Sequence, residues 1–337
     1  MSIAVLGAGS WGTALALILA DNGHRVRLWA RDQHLLHALQ ERRENPRYLP
    51  GFPLPDRITP TADLADALRD VEVVVFAVPS GSLREVTQLA APHIPASALL
   101  LSAAKGLEEG SGLRMSQVLA TVIPHAEQRV VALSGPNLAV EVARKLPTAS
   151  VAASTCLEAA RRIQQLFSTQ PCPTFRVYTN HDIVGVELGG AIKNVIAIGA
   201  GVCDGLGFGD NSKAAFLTRG LTETIRLGVS QGAEARTFLG LSGAGDLFAT
   251  SVSRLSRNYR VGYALGQGQP LQEALQQIGQ AAEGIPTTHA LCTIARRAHV
   301  DMPLCNAIYA LLFEGRSAPD VIRELMLRPL KAEVEPL

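Results

Sequence analysis

Four groups of residues in this chain combine charge, spacing and setting in ways that packing alone does not require. The first is Lys193, the one cation in the apolar stretch from Ile183 to Val202, IVGVELGGAIKNVIAIGAGV. The positions sharing its helical face are Gly189, Gly190, Ile196, Ala197 and Ala200, most of them too small to cover an ammonium group. Small neighbours leave room for something from outside the helix to come close. Glu187 lies on a different face of the same helix, and burying an unpaired ammonium is costly. The partner must therefore be a distant carboxylate, a ligand or solvent. The second group is Lys105, in Ala104-Lys105-Gly106-Leu107. The third is Asp246, which follows the turn Gly243-Ala244-Gly245 and opens an apolar helix, where it is placed to cap that helix, to pair with Lys193, or both. The fourth is Arg254, Arg257 and Arg260, three apart, with Ser256 and Asn258 between them. Such a stripe is either a solvated helix face or a phosphate cradle, for which arginine's bidentate fork is suited. Together these groups offer a proton donor, a carboxylate to hold it and cations for an anionic substrate.

Elements must position these groups, and the first 30 residues define a unit that binds something else. Ile3 to Leu6 reads as a buried parallel strand and Thr13 to Ala20 as a helix. Between them lies Gly7-Ala8-Gly9-Ser10-Trp11-Gly12, and Arg25 to Trp29 reads as a second strand. A GxGxxG turn that joins a strand to a helix, with a strand to follow, is a dinucleotide-binding fingerprint. Gly7 permits the tight turn, Gly9 lets the backbone approach a pyrophosphate, and Gly12 lets helix and strand pack closely. The second strand ends in Trp29-Ala30-Arg31, where NAD-binding versions carry a carboxylate for the ribose 2′-hydroxyl. Arg31 would attract a 2′-phosphate, which favours NADPH over NADH; a solvated arginine is the plain alternative. His34 and His37 read as surface residues.

The alternation continues. Val71 to Val78 is a β-branched strand ended by Pro79-Ser80-Gly81, where the nicotinamide half of a dinucleotide would lie. Ser82 to Ala91 reads as helix, Ala98 to Ser102 as strand, Leu113 to Val122 as helix and Val130 to Leu133 as strand, leading into Ser134-Gly135-Pro136-Asn137. Lys105 falls just after a strand, at the carboxyl edge where such sheets bind ligands or as a solvated loop lysine. Ala149 to Ala153 and Phe175 to Tyr178 read as late strands. From Asp182 onward the apolar spacing is helical. These patterns predict an α/β chain: a Rossmann-type, doubly wound parallel sheet over residues 1–180, an all-helical domain over 181–330, and a loose tail at 331–337.

Composition narrows the setting. With 337 residues, the chain exceeds a single core and two domains are expected. Its 47% hydrophobic and 18% charged residues are ordinary for a soluble protein, and the formal net charge of +1 gives no general attraction to nucleic acid or anionic membranes. Glu187, Lys193, Asn194 and the glycines argue against a membrane span at 183–202. Cys156, Cys172, Cys203, Cys292 and Cys305 are scattered without CxxC or zinc spacing, which indicates reduced thiols, a cytoplasmic location and no metal. The apolar start lacks a basic n-region and is broken by glycines, unlike a signal peptide.

The motifs GAGSWGTALA, VPS, AAKGLE, SGPNLAVEVA, LGGAIKNVIAIGAG followed by CDGLGFGDN, SGAGDL and SRNYRVG occur in that order from residue 3 to about 290. As a set they resemble the bacterial glycerol-3-phosphate dehydrogenases. The resemblance implies reduction of dihydroxyacetone phosphate to sn-glycerol 3-phosphate with NADPH or NADH, feeding phospholipid synthesis, with a homodimer plausible. It implies that Lys193 is the catalytic proton donor and acceptor and that Lys105 touches both cofactor and substrate. Gly135, Asn137, Asp246, Ser256, Arg257 and Asn258 match substrate positions, Arg257 also reaching the cofactor. Ser10, Trp11, Arg31, Ala139, Ala281 and Glu283 match cofactor positions. On this basis the small residues around Lys193 become room for a substrate and a nicotinamide ring. The chain departs from the family after SGP, where Asn137-Leu138 replaces Ser or Thr followed by Phe.

Two other functions fit parts of the same sequence. One is a related NADP-linked dehydrogenase of a β-hydroxy acid or ketopantoate-like substrate, against which the Ser256-Arg257-Asn258 run favours a phosphate-bearing substrate. The other is a non-catalytic NADPH-binding protein, against which the joint presence of Lys105, Lys193 and Asp246 argues.

Overall fold

The computed structural model describes residues 1–168, 174–330, 332 and 333. The Pro171-Cys172-Pro173 segment and most of the 331–337 tail lie outside them. The chain divides into two compact units, Met1–Lys105 with Met115–Ile183, and Gly106–Arg114 with Val184–Leu337.

In the first unit the strands are β1 (Ser2–Leu6), β2 (Arg25–Trp29), β3 (Glu44–Asn45), β4 (Leu49–Pro53), β5 (Ile58–Thr61), β6 (Val73–Phe76), β7 (Leu99–Ser102), β8 (Val130–Ser134), β9 (Thr148–Ala153) and β10 (Phe175–Asn180). The helices are α1 (Ser10–Asp21), α2 (Gln33–Glu41), α3 (Leu64–Leu68), α4 (Leu83–Ala90), α5 (Met115–Val122), α6 (Ala139–Ala143) and α7 (Leu157–Phe167). Eight strands form one sheet in the order β10-β9-β8-β7-β6-β1-β2-β5. The order reverses direction between β1 and β6, the switch point at whose carboxyl ends such sheets bind ligands. Apolar runs explain the central strands: Val73-Val74-Val75-Phe76 is buried throughout, as a strand covered on both faces requires. The expected parallel sheet has one exception, since β9 runs antiparallel to β8 before pairing parallel with β10. Strand direction is not visible in hydrophobic pattern, which is why the sequence did not show this.

The segment from 33 to 61 contains elements that apolar spacing left unassigned. Asp32 caps α2 by accepting from the amides of His34 and Leu35. β3 and β4 form a small antiparallel hairpin, and β5, with Pro60 inside it, pairs only with β2 at the sheet edge, where a missing amide is tolerated.

The second unit is helical: α8 (Ile183–Gly205), α9 (Asp210–Ser230), α10 (Asp246–Val252), α11 (Arg257–Gly266), α12 (Leu271–Ile278), α13 (Gly284–Arg297), α14 (Pro303–Phe313) and α15 (Ala318–Met326), with an isolated antiparallel bridge between Leu107 and Arg114. Among the described residues, α8 is long and apolar enough to cross a membrane, but 94% of its most apolar window is buried in the protein. It is the core helix of this unit, touching Leu227, Phe238, Leu291 and Ile308 in one apolar cluster. Glycine lets neighbours reach its backbone. A Cβ on Gly201 would stand 2.1 Å from the Tyr259 carbonyl oxygen, and one on Gly262 of α11 would stand 1.7 Å from the Ile198 oxygen. Gly205 and Gly266 repeat the arrangement one turn on, so α8 and α11 cross with main chain against main chain.

Two buried carboxylates of this unit are matched to donors. Glu187 accepts from Arg114 at 2.5 Å, tying the 106–114 segment to α8. Glu223 of α9 accepts from the amides of Leu304 and Cys305 at 2.7 and 3.1 Å, satisfying two of the free donors at the start of α14. A Gly262→Ala substitution should force α8 and α11 apart and lower stability by about 1–3 kcal/mol, the usual cost of overpacking. A urea midpoint unchanged from the parent would contradict the close crossing.

Candidate functional site

In the first unit, the glycine turn behaves as its spacing demands. Gly7 has φ +113, and a Cβ there would sit 2.8 Å from the Ala77 oxygen, so only glycine turns the chain out of β1 past β6. A Cβ on Gly12 would sit 1.9 Å from the Gly7 oxygen, which fixes the close packing of α1 on the turn. A Cβ on Gly9 would meet nothing within 4 Å, and the first turn of α1 has no side-chain cap. Its amide donors thus stand available to an anion, as at other helix N-termini that hold phosphates. Trp11 Nε1 is buried and makes no hydrogen bond among the described residues, a second donor available to a ligand. These groups fit a dinucleotide pyrophosphate.

Asn45 and Tyr48, which the sequence did not single out, hold this turn. Asn45 is fully buried and donates to the Ala8 oxygen and Thr13 Oγ1 at 2.9 and 2.8 Å, while its own oxygen accepts from the Tyr48 amide. Ser10 Oγ donates to the Tyr48 oxygen at 2.7 Å. Arg31 follows β2, is largely exposed and lies 3.3 Å from Glu85. His34 and His37 are exposed. At the carboxyl ends of β7 and β8, Lys105 Nζ donates to the Gly135 oxygen at 2.7 Å. Gly135 has φ +147 and leaves no space for a Cβ, with Ser150 Cα 2.9 Å away. Asn137 donates to the Ala149 oxygen and accepts from Ser150 Oγ, both at 3.0 Å, so part of its amide is already engaged with β9. Ala139 begins α6.

In the second unit, Lys193 is paired. Its Nζ lies 2.9 Å from Asp246 Oδ1 and donates to Thr250 Oγ1 at 2.7 Å, and Thr250 in turn donates to Asp246 Oδ1 at 3.0 Å. The lysine and aspartate side chains are 9% and 2% exposed, so the charges are held almost out of water. Asp246 and Thr250 stand four apart on α10 and so share one face. Asp246 does not cap its helix: a π-helical turn, Leu241–Gly245, runs into α10, and the aspartate is the first residue after it. The other proposed role, partner of Lys193, is the one the fold uses.

Around Lys193 the small residues serve the protein's own packing. A Cβ on Gly189 would stand 2.7 Å from the Ser242 oxygen, so that glycine admits the π-helical turn that delivers Asp246. Ile196, Ala197 and Ala200 are completely buried, Ile196 and Ala200 in the apolar cluster.

The Ser256-Arg257-Asn258 run is divided between structure and surface. Ser256 caps α11, its Oγ accepting from the Tyr259 amide. Asn258 is buried and joins three helices, donating to Asn194 Oδ1 and accepting from the Gly284 amide, each at 2.9 Å. Arg257 presents surface to solvent, yet crowding by protein pulls its pKa below the usual arginine value, and Glu283 acts in the opposite sense. Arg254 and Arg260 are exposed. Ala281 is exposed, and Glu283 immediately precedes α13. Among the described residues no three His, Cys, Asp or Glu side chains form a metal-binding group, and Cys156, Cys203, Cys292 and Cys305 are free thiols.

Comparison with known proteins gives the family of the chain. A profile of the NAD-dependent glycerol-3-phosphate dehydrogenase N-terminus matches residues 2–160, and one of the corresponding C-terminus matches residues 182–323. The chain belongs to the NAD-dependent glycerol-3-phosphate dehydrogenase family. It is 50% identical over 334 residues to the glycerol-3-phosphate dehydrogenase [NAD(P)+] of Syntrophomonas wolfei, covering 99% of this chain and 96% of that one. The solved glycerol-3-phosphate dehydrogenase of Coxiella burnetii matches with a TM-score of 0.92 at 41% identity, over 97% of this chain and 99% of that one. A ketopantoate reductase from Ralstonia eutropha shares only the fold, at 17% identity and a TM-score of 0.61, with 97% and 100% of the two chains covered.

Within this glycerol-3-phosphate dehydrogenase family member, Thr250 and Asn194 are the polar partners that sequence inspection passed over. Both had a signal: Thr250 lies one helical turn beyond Asp246, and Asn194 adjoins Lys193. Replacing Asp246 with Asn should leave a buried ammonium without its carboxylate and cost about 3–5 kcal/mol, with partial recovery when Lys193→Met is added. Thermal melts of the single and double variants measure this, and equal stability of Asp246→Asn and parent would contradict it.

Proposed function

We propose that the chain catalyses the reversible reduction of dihydroxyacetone phosphate to sn-glycerol 3-phosphate with NADPH or NADH, supplying glycerophospholipid synthesis. The observation that carries this is the buried Lys193–Asp246–Thr250 centre in a chain that also bears a dinucleotide fingerprint and belongs to this family. When bound, the cofactor supplies a hydride to the ketone carbon. Lys193, held as an ammonium by Asp246, donates a proton to the carbonyl oxygen and opposes the charge that develops there. In the reverse direction the neutral amine accepts the proton from the hydroxyl. General acid catalysis of this kind is worth about 10²- to 10⁴-fold, and stabilisation of the developing charge adds to it.

Gly7, Gly9, Ser10, Trp11 and Gly12 hold the dinucleotide, with Lys105, Ala139, Arg257, Ala281 and Glu283 as further cofactor contacts. Arg31 receives the 2′-phosphate, which makes NADPH the preferred form. Lys105, Gly135, Asn137, Asp246, Ser256, Arg257 and Asn258 form the substrate set, with the Arg257 guanidinium on the phosphate. Residues 1–180 act as the cofactor domain and 181–330 as the catalytic and substrate domain. We assign the enzyme to the cytoplasm as a homodimer, with no nucleic-acid or membrane partner. Exposed apolar side chains in the helical unit, Leu239, Phe248, Val252 and Leu255, support a contact between two copies.

The direct test is an assay on dihydroxyacetone phosphate run in parallel with NADPH and NADH. Turnover is expected with both, higher kcat/KM is expected with NADPH, and Arg31→Ala should erase that preference; no turnover with either cofactor would sink the assignment. Lys193→Ala should lose at least about 10²-fold in kcat while binding NADPH as the parent does, measured by fluorescence titration. Near-normal turnover would make Lys193 structural. Arg257→Ala should raise the KM for dihydroxyacetone phosphate by about 10-fold or more, the scale of a lost charged contact, and an unchanged KM would mean that the phosphate is held elsewhere.

A further inference from the structure

We propose that a cleft at the amino-terminal edge of β1, β2 and β5 binds the phosphate group of a small hydroxyl-bearing metabolite, at a site separate from the dinucleotide turn. The cleft encloses about 560 Å³ and its charged lining is Arg25, Arg27, Arg57, Asp56 and Asp70. Strand geometry assembles it. Arg25 and Arg27 are two apart on β2 and so point to the same face. The Val26 amide donates to the Arg57 oxygen at 2.8 Å, which brings the chain entering β5 alongside. Asp70, in the turn before β6, adopts a left-handed conformation with φ +55.

The unusual feature is the state of the arginines. Among the described residues none of the three forms an ion pair, although two aspartates share the cleft wall with them. Arg27 Nη1 donates instead to the Arg69 carbonyl oxygen, and Arg57 Nη1 to the Gly23 carbonyl oxygen at 3.1 Å. A backbone carbonyl orients a guanidinium without neutralising it and uses one of its five N–H donors. Arg25 is exposed and its side chain makes no hydrogen bond among the described residues. The cleft therefore holds three full positive charges, two of them pre-oriented, with most donors still available.

That donor set suits phosphate, whose oxygens accept the bidentate fork of arginine. Asp56 and Asp70 limit the choice further. Their two negative charges oppose a second phosphate, and their oxygens accept from hydroxyl groups, so a monophosphate ester of a polyol fits better than inorganic phosphate or a pyrophosphate. The site is distinct from the cofactor turn because Gly7 follows the other end of β1. A five-residue strand spans about 17 Å, beyond the reach of one such ligand.

Isothermal titration of the full-length enzyme, saturated with NADPH at low salt, tests this with glycerol 2-phosphate and inorganic phosphate as probes. Arg25→Gln should weaken the binding of glycerol 2-phosphate by about fivefold or more, roughly the loss of one charge-assisted hydrogen bond. It should leave kcat and KM for dihydroxyacetone phosphate within about twofold of the parent, because among the described residues the Arg25 side chain makes no hydrogen bond and only its main chain joins the sheet. Arg257→Ala should leave the Arg25-dependent binding in place. Equal affinity in Arg25→Gln and parent overturns the site, as does loss of all binding in Arg257→Ala. Inorganic phosphate binding as tightly as the ester overturns the role given to the two aspartates. If Arg25→Gln is compromised in folding, Arg25→Lys, which keeps charge but loses the fork, should show an intermediate affinity; parent-like affinity there overturns the reliance on arginine.

Discussion

The helical unit is arranged around one constraint, that the ammonium of Lys193 lies where water hardly reaches. A lone charge there would be expelled or neutralised, so the fold must bring it a carboxylate. Asp246 does this from more than 50 residues downstream, with Thr250 closing a three-way contact. The delivery has its own requirements. The π-helical turn before α10 must approach α8 closely, and Gly189 is the residue that lets it. More than three turns further along the same helix, Gly201 and Gly205 admit the main chain of α11, and with it the Ser256 cap and the Asn258 bridge. The glycines of α8, which look like weak points in a helix, are therefore what permits a buried charge to be satisfied.

Glycine does different work in the first unit. Gly7 and Gly12 are required by contact, because a side chain at either would strike the main chain. Gly9 is required by openness, since nothing among the described residues occupies the space its side chain would take. The same residue type thus closes the protein at two points and keeps it open at the third. Asn45 then locks the turn from beneath through the Ala8 oxygen and Thr13.

What was legible in the sequence follows from range. Local signals carried well: the glycine turn, the central apolar strands and the 183–202 helix were all visible, because a few adjacent residues determine each. The pairing of Lys193 with Asp246 was visible as a possibility, since a buried lysine needs a carboxylate and the helix offered none. Three things were not visible. The direction of β9 is a property of the sheet and leaves no trace in apolar pattern. The approach of the Ser242 main chain to Gly189 is a second, because smallness reads the same whether the space is taken by a ligand or by another stretch of backbone. Asn45 and Arg114 act on partners far away in the chain, and an isolated polar residue carries no mark of its partner. The site residues split along the same line, for Ser256 and Asn258 turn out to be engaged in holding helices as well as flanking Arg257.

Glu223 carries a consequence of its own for how the helical unit responds to protons. Burial raises its carboxyl pKa from 4.5 to about 7, against the pull of the two amides that donate to it from α14. Below pH 4.5 it is protonated whether or not the chain is folded, and its contribution to stability is whole. Between 4.5 and about 7 the folded chain keeps a proton that the unfolded chain releases, so stability falls as the pH rises. Above 7 that contribution is lost, an amount on the order of 3 kcal/mol. The start of α14 is thereby a proton store inside the core, and near neutral pH the unit sits on the slope of its own titration.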